Sequence, residues 1–462
     1  MLRRIAVIAL SLAVAVCHAE QISSRGFGLY VDRVPTVDEA ARNFTGAKFE
    51  PQVGCYAGAY IDLDSTITET FTDRTNRVRR LPSQFESKVG KPHATYFYYM
   101  GYRSRLAYDW IEKLGHEGKI VHIALEPNLG LEWVKDDDYL EEMATMFAKS
   151  GAPIFLRFAS EMNGPWVKYH GNPKLYIEKF RLIATKMREK APNVAMVWCP
   201  YATPVSPIRD YYPGDEYVDW VGVNLYSVTY FNQNINQPAK HVHPISMLEY
   251  VYDLYSAKKP IMVGEYGATH FSALEGKPTV DFATRALMGM YEALPRAYPR
   301  VKCINYFSGN NLVLDHRKNN NYALTQHPRM LDTYRNIISA PYFLSQPVDE
   351  AGFLTASWYA TPVSGEAPRW DEMVPVRPMR VTQKDQLSGK VRLSGWIKDH
   401  SGKTTLRFLV NGKLLHDGTS KDQWSVELDT RRLANGPVKL ELIAQRGKEV
   451  INRYPVTVTV RN

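Results

Sequence analysis

The stretch PIFLRFASE, Pro153 to Glu161, decides the fold. It opens as an apolar run, yet it carries Arg157 and Glu161 and leads directly into MNGPW, 162–166. Ile154, Phe155 and Leu156 are apolar on successive positions, as in a parallel strand buried on both faces. Seven other runs share this make-up: VGCYAGAYIDL (53–63), ATYFYYMGY (94–102), KIVHIALEP (119–127), VAMVWCPYA (194–202), VDWVGVNLYS (218–227), PIMVGEYGA (260–268) and VKCINYFSG (301–309). Helical segments lie between them. Asn172 caps one, Pro173 suits its first turn, and Tyr176, Phe180, Ile183 and Met187 follow at helical spacing. Another, 136–151, starts acidic and ends with Lys149 and Gly151. The last is expected over 330–339. Eight strand–helix alternations predict an α/β fold, a (β/α)8 TIM barrel.

The chain has 462 residues, long enough for the barrel and more. Arg3 and Arg4 precede a short apolar run, Ile5 to Val16, and Cys17-His18-Ala19 offers a cleavage site, so residues 1–19 read as a signal peptide and the protein as secreted or periplasmic. Lipid anchoring at Cys17 is disfavoured, because Val16 stands where a small residue is usual. The barrel domain is expected over 20–340, a proline-rich linker over 341–380, and a small immunoglobulin-like β-sandwich over 381–462. Asn411-Gly412 and Asn435-Gly436 read as hairpin turns. Cys55, Cys199 and Cys303 each sit in an apolar run and read as core thiols. No apolar run is long enough to span a membrane. The net charge is +9, but the basic stretch RTNRVRR (74–80) lacks interleaved aromatics and reads as a solvated loop, so no nucleic-acid partner is expected. His241 and His243 lack a visible third ligand, and neither a metal nor a cofactor is expected.

In such a barrel the catalytic groups sit at the C-terminal ends of the strands. Those ends hold Asp62, Asp64, Tyr99, Tyr102, Glu126, Glu161, Tyr201, Asn224, Tyr226, Glu265 and Tyr306. Two carboxylates have distinctive settings. Glu161 closes the fourth run, with Arg157 on the same side by two-residue alternation. Glu265 closes the seventh in VGEYG, flanked by glycines that let the backbone crowd a ligand. Strands four and seven face each other across the mouth, and a carboxyl pair so placed suits glycoside hydrolysis. Arg157 would hold Glu265 charged or fix the surroundings of Glu161. Tyr226 could donate to Glu265, and Trp166 could stack on a sugar.

FLRFASEMNGPW (155–166) and IMVGEYG (261–267) resemble the acid/base and nucleophile segments of glycoside hydrolase family 26, the β-mannanase family of the retaining (β/α)8 clan. YYPGDEYVDWVGVNLYS (211–227) resembles that family's passage into its sixth strand, and LEPN (125–128) its third-strand end. The resemblance covers roughly residues 50–340. It implies Glu161 as general acid/base and Glu265 as nucleophile. One position departs: the family has His before the acid/base, where this chain has Ser160, and that neighbour commonly helps bind the sugar.

The expectation is a hydrolase cleaving a β-linked polysaccharide, mannan-like or a bacterial exopolysaccharide. Arg157, Ser160, Trp166, Asn224, Tyr226, Glu126, Tyr201 and Tyr306 are the candidate substrate-binding residues. Glu126 could equally be a structural pairing, and the glutamate pair itself a structural ion network. The alternatives are a non-catalytic polysaccharide-binding protein on a hydrolase scaffold and a transglycosylase.

Overall fold

The structure, a computed structural model, describes residues 25–314, 318–353, 369–399, 402–419 and 424–462. The expected signal segment lies outside the described residues. The chain divides into two compact units. One comprises Pro35–Glu292 and Pro299–Pro375; the other comprises the chain up to Val34, Ala293–Tyr298 and Val376–Asn462.

The larger unit is a (β/α)8 barrel. Its parallel strands are β1 (Cys55–Tyr60), β2 (Thr95–Gly101), β3 (Ile120–Glu126), β4 (Ile154–Phe158), β5 (Val194–Trp198), β6 (Trp220–Ser227), β7 (Ile261–Ala268) and β8 (Val301–Phe307). They neighbour one another in chain order, and β8 closes on β1 from Cys303 opposite Tyr56 to Phe307 opposite Tyr60. All eight expected runs are strands. They are buried almost throughout, which explains why they read as continuous apolar stretches instead of alternating ones.

The helices start and stop where side chains satisfy the free backbone ends. Asn172 accepts from the Leu175 amide at the head of Pro173–Lys190. Asp137 accepts from the Leu140 amide ahead of Asp138–Ser150, which Gly151 ends at φ +61°. The last barrel helix is Pro328–Ile338. His243, considered above as a metal ligand, caps Pro244–Tyr255 by accepting from the Ile245 amide. Cys55, Cys199 and Cys303 are free and buried.

The barrel interior has two levels. Tyr56, Phe155, Val197, Cys199, Trp220, Met262 and Cys303 fill the lower one. Tyr60, Phe97, Phe307 and Tyr322 form an aromatic cluster in the upper one, with Tyr99 and Tyr226 packed against it. Each Val, Phe or Met among them, removed from water, contributes roughly 1.5–3 kcal/mol.

The RTNRVRR stretch is not a plain solvated loop. Thr70–Thr72 and Val78–Arg80 form a small hairpin after β1, and Arg79, only 5% exposed, donates to both Asp62 and Asp73. Segment 341–380 is likewise more than a linker. Phe343–Leu344 pairs with β1, Trp370–Met373 is a helical turn, and Arg377–Arg380 is a strand; 354–368 lie outside the described residues.

The smaller unit is all-β, with two sheets sharing one core. One runs Arg377–Arg380, Phe27–Arg33, Lys390–Ile397, Ser425–Asp429; the other runs Gln386–Leu387, Glu449–Val460, Gly436–Arg446, Thr404–Val410, Lys413–Gly418. Leu29, Val31, Leu393 and Leu428 from the first meet Leu406, Phe408, Leu442 and Val458 from the second. Two expectations change here. Phe27–Arg33, assigned by position to the barrel domain, pairs antiparallel with Arg377–Arg380 and Lys390–Ile397. A seven-residue strand carries no mark of a partner 350 residues away. Asn411-Gly412 is the expected hairpin turn, with φ of +48° and +78°. Asn435-Gly436 is not a hairpin, because it leads from the strand Ser425–Asp429 of one sheet to Gly436–Arg446 of the other. Trp396 and Trp424 are both buried, so neither presents a face to a sugar.

Gly58 shows how tightly the barrel closes. A Cβ there would lie 2.2 Å from Asn305 Oδ1 and 2.5 Å from Thr95 Cγ2. Gly58→Ala is expected to lower stability by about 1–3 kcal/mol through overpacking. Urea denaturation followed by tryptophan fluorescence checks this, and an unchanged midpoint would contradict it.

Candidate active site

The chemistry-bearing side chains converge at the C-terminal end of the barrel around one buried cation. Arg157, on β4, is fully buried. Its Nη2 donates to Glu265 Oε1 at 2.5 Å and its Nη1 to Asn224 Oδ1 at 3.1 Å. Its guanidinium carbon lies 5.3 Å from the Phe97 ring centre and 6.0 Å from that of Tyr99. The glycine before Glu265 makes this approach feasible. At Gly264 the register of β7 against β6 shifts, and a Cβ would lie 2.5 Å from Asn224 Oδ1 and 3.0 Å from Arg157 Nη1. That glycine makes room for protein atoms and not, as its flanking position suggests, for a ligand.

Glu265 accepts from three donors. Besides Arg157 these are the Tyr99 hydroxyl at 2.7 Å on Oε1 and the Tyr226 hydroxyl at 2.5 Å on Oε2. An acceptor ringed by donors, one of them cationic, suits a carboxylate anion. Burial, and then the charge of Glu265, push both phenols well up, so both remain donors.

Glu161 has the opposite setting. It is half-buried, and its carboxylate meets only neutral donors: Asn224 Nδ2 at 2.8 Å on Oε1 and Trp166 Nε1 at 2.7 Å on Oε2. Burial pushes its carboxyl up to about 7, the charge of Glu265 adds to this, and the two hydrogen bonds with Arg157 oppose it. The route by which it reaches the site differs from the expected one. β4 ends at Phe158, and Ala159 and Glu161 are left-handed, at φ +49° and +61°. Alternation along a strand therefore does not relate Glu161 to Arg157. The turn is held by the Ala159 amide donating to Leu125 O and the Glu161 amide donating to Cys199 O.

Asn224 joins the two halves, its carbonyl toward Arg157 and its amide toward Glu161. Trp166 is 50% exposed and meets the Tyr201 ring edge-on at 5.2 Å. Glu126, at the end of β3, accepts from the Ser160 hydroxyl at 2.6 Å on Oε1, and its Oε2 is in hydrogen-bond contact with the Tyr169 hydroxyl oxygen. Nine of the ten predicted site residues thus lie in this contact network.

Tyr306 does not. It is fully buried against Tyr266 and Tyr334, and its hydroxyl donates to Tyr322 O. Neighbouring residues of a strand face opposite sides, so it is Phe307 that joins the interior cluster, stacked on Tyr60 at 4.8 Å. Three residues had no role assigned from sequence. Tyr99 and Tyr60 stand at inward-facing strand positions, where period-two alternation after Phe97 and Gly58 points to them. Tyr169 lies in an irregular segment, and no periodicity marks it. Among the described residues no three His, Cys, Asp or Glu gather as a metal site, and no helix is long and apolar enough to cross a membrane.

Residues 134–273 match the family model described as Glycosyl hydrolase family 26. A β-1,3-xylanase of a Vibrio species is 35% identical over 82 residues, 16% of this chain and 17% of that protein. Endoglucanase H of Acetivibrio thermocellus is 25% identical over 291 residues, 59% of this chain and 30% of its own length. The chain thus spans less than a third of these curated relatives. Among solved structures, an endo-β-1,4-mannanase double mutant of Cellulomonas fimi aligns at 14% identity over 88% of this chain and 94% of that one, with a TM-score of 0.46. The matched segment holds Arg157, Glu161, Asn224, Tyr226 and Glu265, and over that segment the chain is similar to glycosyl hydrolase family 26.

Proposed function

We propose that the protein is an exported glycoside hydrolase that cleaves a β-linked polysaccharide with retention, through a covalent glycosyl-enzyme. The observation that carries this reading is the pair of carboxyls in one site with opposed surroundings. Glu265 is ringed by donors that include a buried guanidinium, whereas burial and a negative neighbour favour the proton on Glu161. The names of the curated relatives, β-1,3-xylanase and endoglucanase, support a polysaccharide substrate and leave its sugar open.

In the first step a Glu265 oxygen attacks the anomeric carbon. The bond to the leaving oxygen breaks as that oxygen takes the proton of Glu161. In the second step Glu161, now ionised, takes a proton from water, whose oxygen attacks the same carbon and releases Glu265. Asn224 and Trp166 hold the Glu161 carboxyl in place, and Trp166 with Tyr201 offers an aromatic surface to the sugar on the leaving side.

Two outcomes follow. Glu161→Gln is expected to lower polysaccharide hydrolysis by about 10²–10⁴-fold, the usual scale for lost acid–base help. With an aryl glycoside whose leaving group needs no acid, the first step should persist and the glycosyl-enzyme accumulate, visible by intact mass spectrometry. Glu265→Gln should stop both, and full activity in both variants would remove the proposal.

Because Glu161 must be protonated to act as acid, kcat/KM should fall as pH rises through about 7. Glu265→Gln removes the adjacent negative charge, so the Glu161 titration, followed by carbon NMR of labelled side chains, should move to lower pH. An unmoved titration would contradict the coupling.

A further inference from the structure

Glu126, Ser160 and Tyr169 make three oxygen–oxygen contacts and own only two hydroxyl protons. Ser160 Oγ lies 2.6 Å from Glu126 Oε1, Tyr169 Oη contacts Glu126 Oε2, and Tyr169 Oη lies 2.7 Å from the Ser160 carbonyl. A carbonyl only accepts, so the proton of Tyr169 belongs to the Ser160 contact. Were Glu126 ionised, its Oε2 would then face the Tyr169 oxygen lone pair to lone pair, an unmade hydrogen bond in a buried place. A proton on Glu126 removes the conflict. Glu126 Oε2 donates to Tyr169 Oη, Tyr169 donates to Ser160 O, and Ser160 Oγ donates to Glu126 Oε1.

We propose that Glu126 is a neutral carboxylic acid at pH 7 and serves as a positioning residue for Glu161. The Ser160 carbonyl belongs to the peptide that joins Ser160 to Glu161, in the turn whose Ala159 and Glu161 are left-handed. The relay from Glu126 through Tyr169 therefore grips the backbone that aims the Glu161 carboxyl. It also keeps a further negative charge away from Glu161 and Glu265.

The surroundings agree. Burial pushes the Glu126 carboxyl up foremost; the Ser160 and Tyr169 contacts and the Arg157 charge on β4 oppose it, and the Glu265 charge on β7 adds to it. The other titratable groups facing it, Tyr176 on the helix Pro173–Lys190 and Cys199 after β5, are themselves pushed up by burial and bring no cation. Of the two sequence readings of Glu126, sugar contact and structural pairing, this is the second, and it takes Ser160 with it. Both carboxyl oxygens of one and the hydroxyl of the other are engaged within the protein instead of free for a sugar.

The proposal rests on Glu161 being the acid/base, and its test separates the two. Infrared spectra of the full chain at pH 7 should show a neutral-carboxyl band that disappears in Glu126→Gln, a result independent of any activity. In kinetics, Glu126→Ala should lower kcat by about tenfold or more, the scale of one buried hydrogen bond lost, with KM little moved. Glu126→Gln keeps a neutral group of the same shape and should restore most of that loss. Tyr169→Phe should mimic Glu126→Ala and shift the alkaline limb. A wild-type spectrum without the Glu126 band, or a Gln variant as impaired as the Ala variant, would overturn the proposal by showing that Glu126 works as an anion.

Discussion

A guanidinium with no contact to solvent sits inside the barrel, and the site is arranged around the need to compensate it. A buried cation left without its partner typically costs about 3–5 kcal/mol, so Arg157 fixes the positions of groups able to answer it. Glu265 supplies the charge and Asn224 the carbonyl. Once the Asn224 carbonyl is turned to Arg157, its amide has one direction left, and it points at Glu161. One cation thus orients two carboxyls and gives them different donors. Phe97 and Tyr99 wall the guanidinium with ring faces, and Gly264 leaves the space it needs.

The same arrangement separates the chemical characters of the two glutamates. Tyrosines and a cation surround Glu265, whereas Glu161 meets an amide and an indole and opens toward solvent on the Trp166 side. The left-handed turn after β4 carries Glu161 out of the sheet so that it can stand beside Asn224, and Ser160, Tyr169 and Glu126 brace that turn.

Much of this was legible in the sequence because parallel strands buried on both faces leave continuous apolar runs, and a polar residue at the end of such a run stands out. Glu161, Glu265, Arg157, Asn224 and Tyr226 were visible for that reason. Tyr306 misled because its run ends in two aromatic residues and composition does not tell which one faces inward. The relation of Glu161 to Arg157 was misread because no residue type announces a left-handed alanine and glutamate. Tyr169 was invisible, being fixed by contacts with residues 9 and 43 positions away and by no local pattern. The partnership of Phe27–Arg33 was hidden for the same reason on a larger scale, since strand pairing depends on register with distant segments that propensity does not encode.

That early strand has a consequence for how the polypeptide matures. Phe27–Arg33 sits between Arg377–Arg380 and Lys390–Ile397 in its sheet, so its neighbours emerge only after the entire barrel has been synthesised. Until then its apolar face has no home, and loop closure across such a span makes the joining slow. In chain order the barrel unit, Pro35–Glu292 and Pro299–Pro375, lies between the first and last segments of the β unit. Trimming the carboxy-terminal module alone would leave Phe27–Arg33 without either of its sheet neighbours.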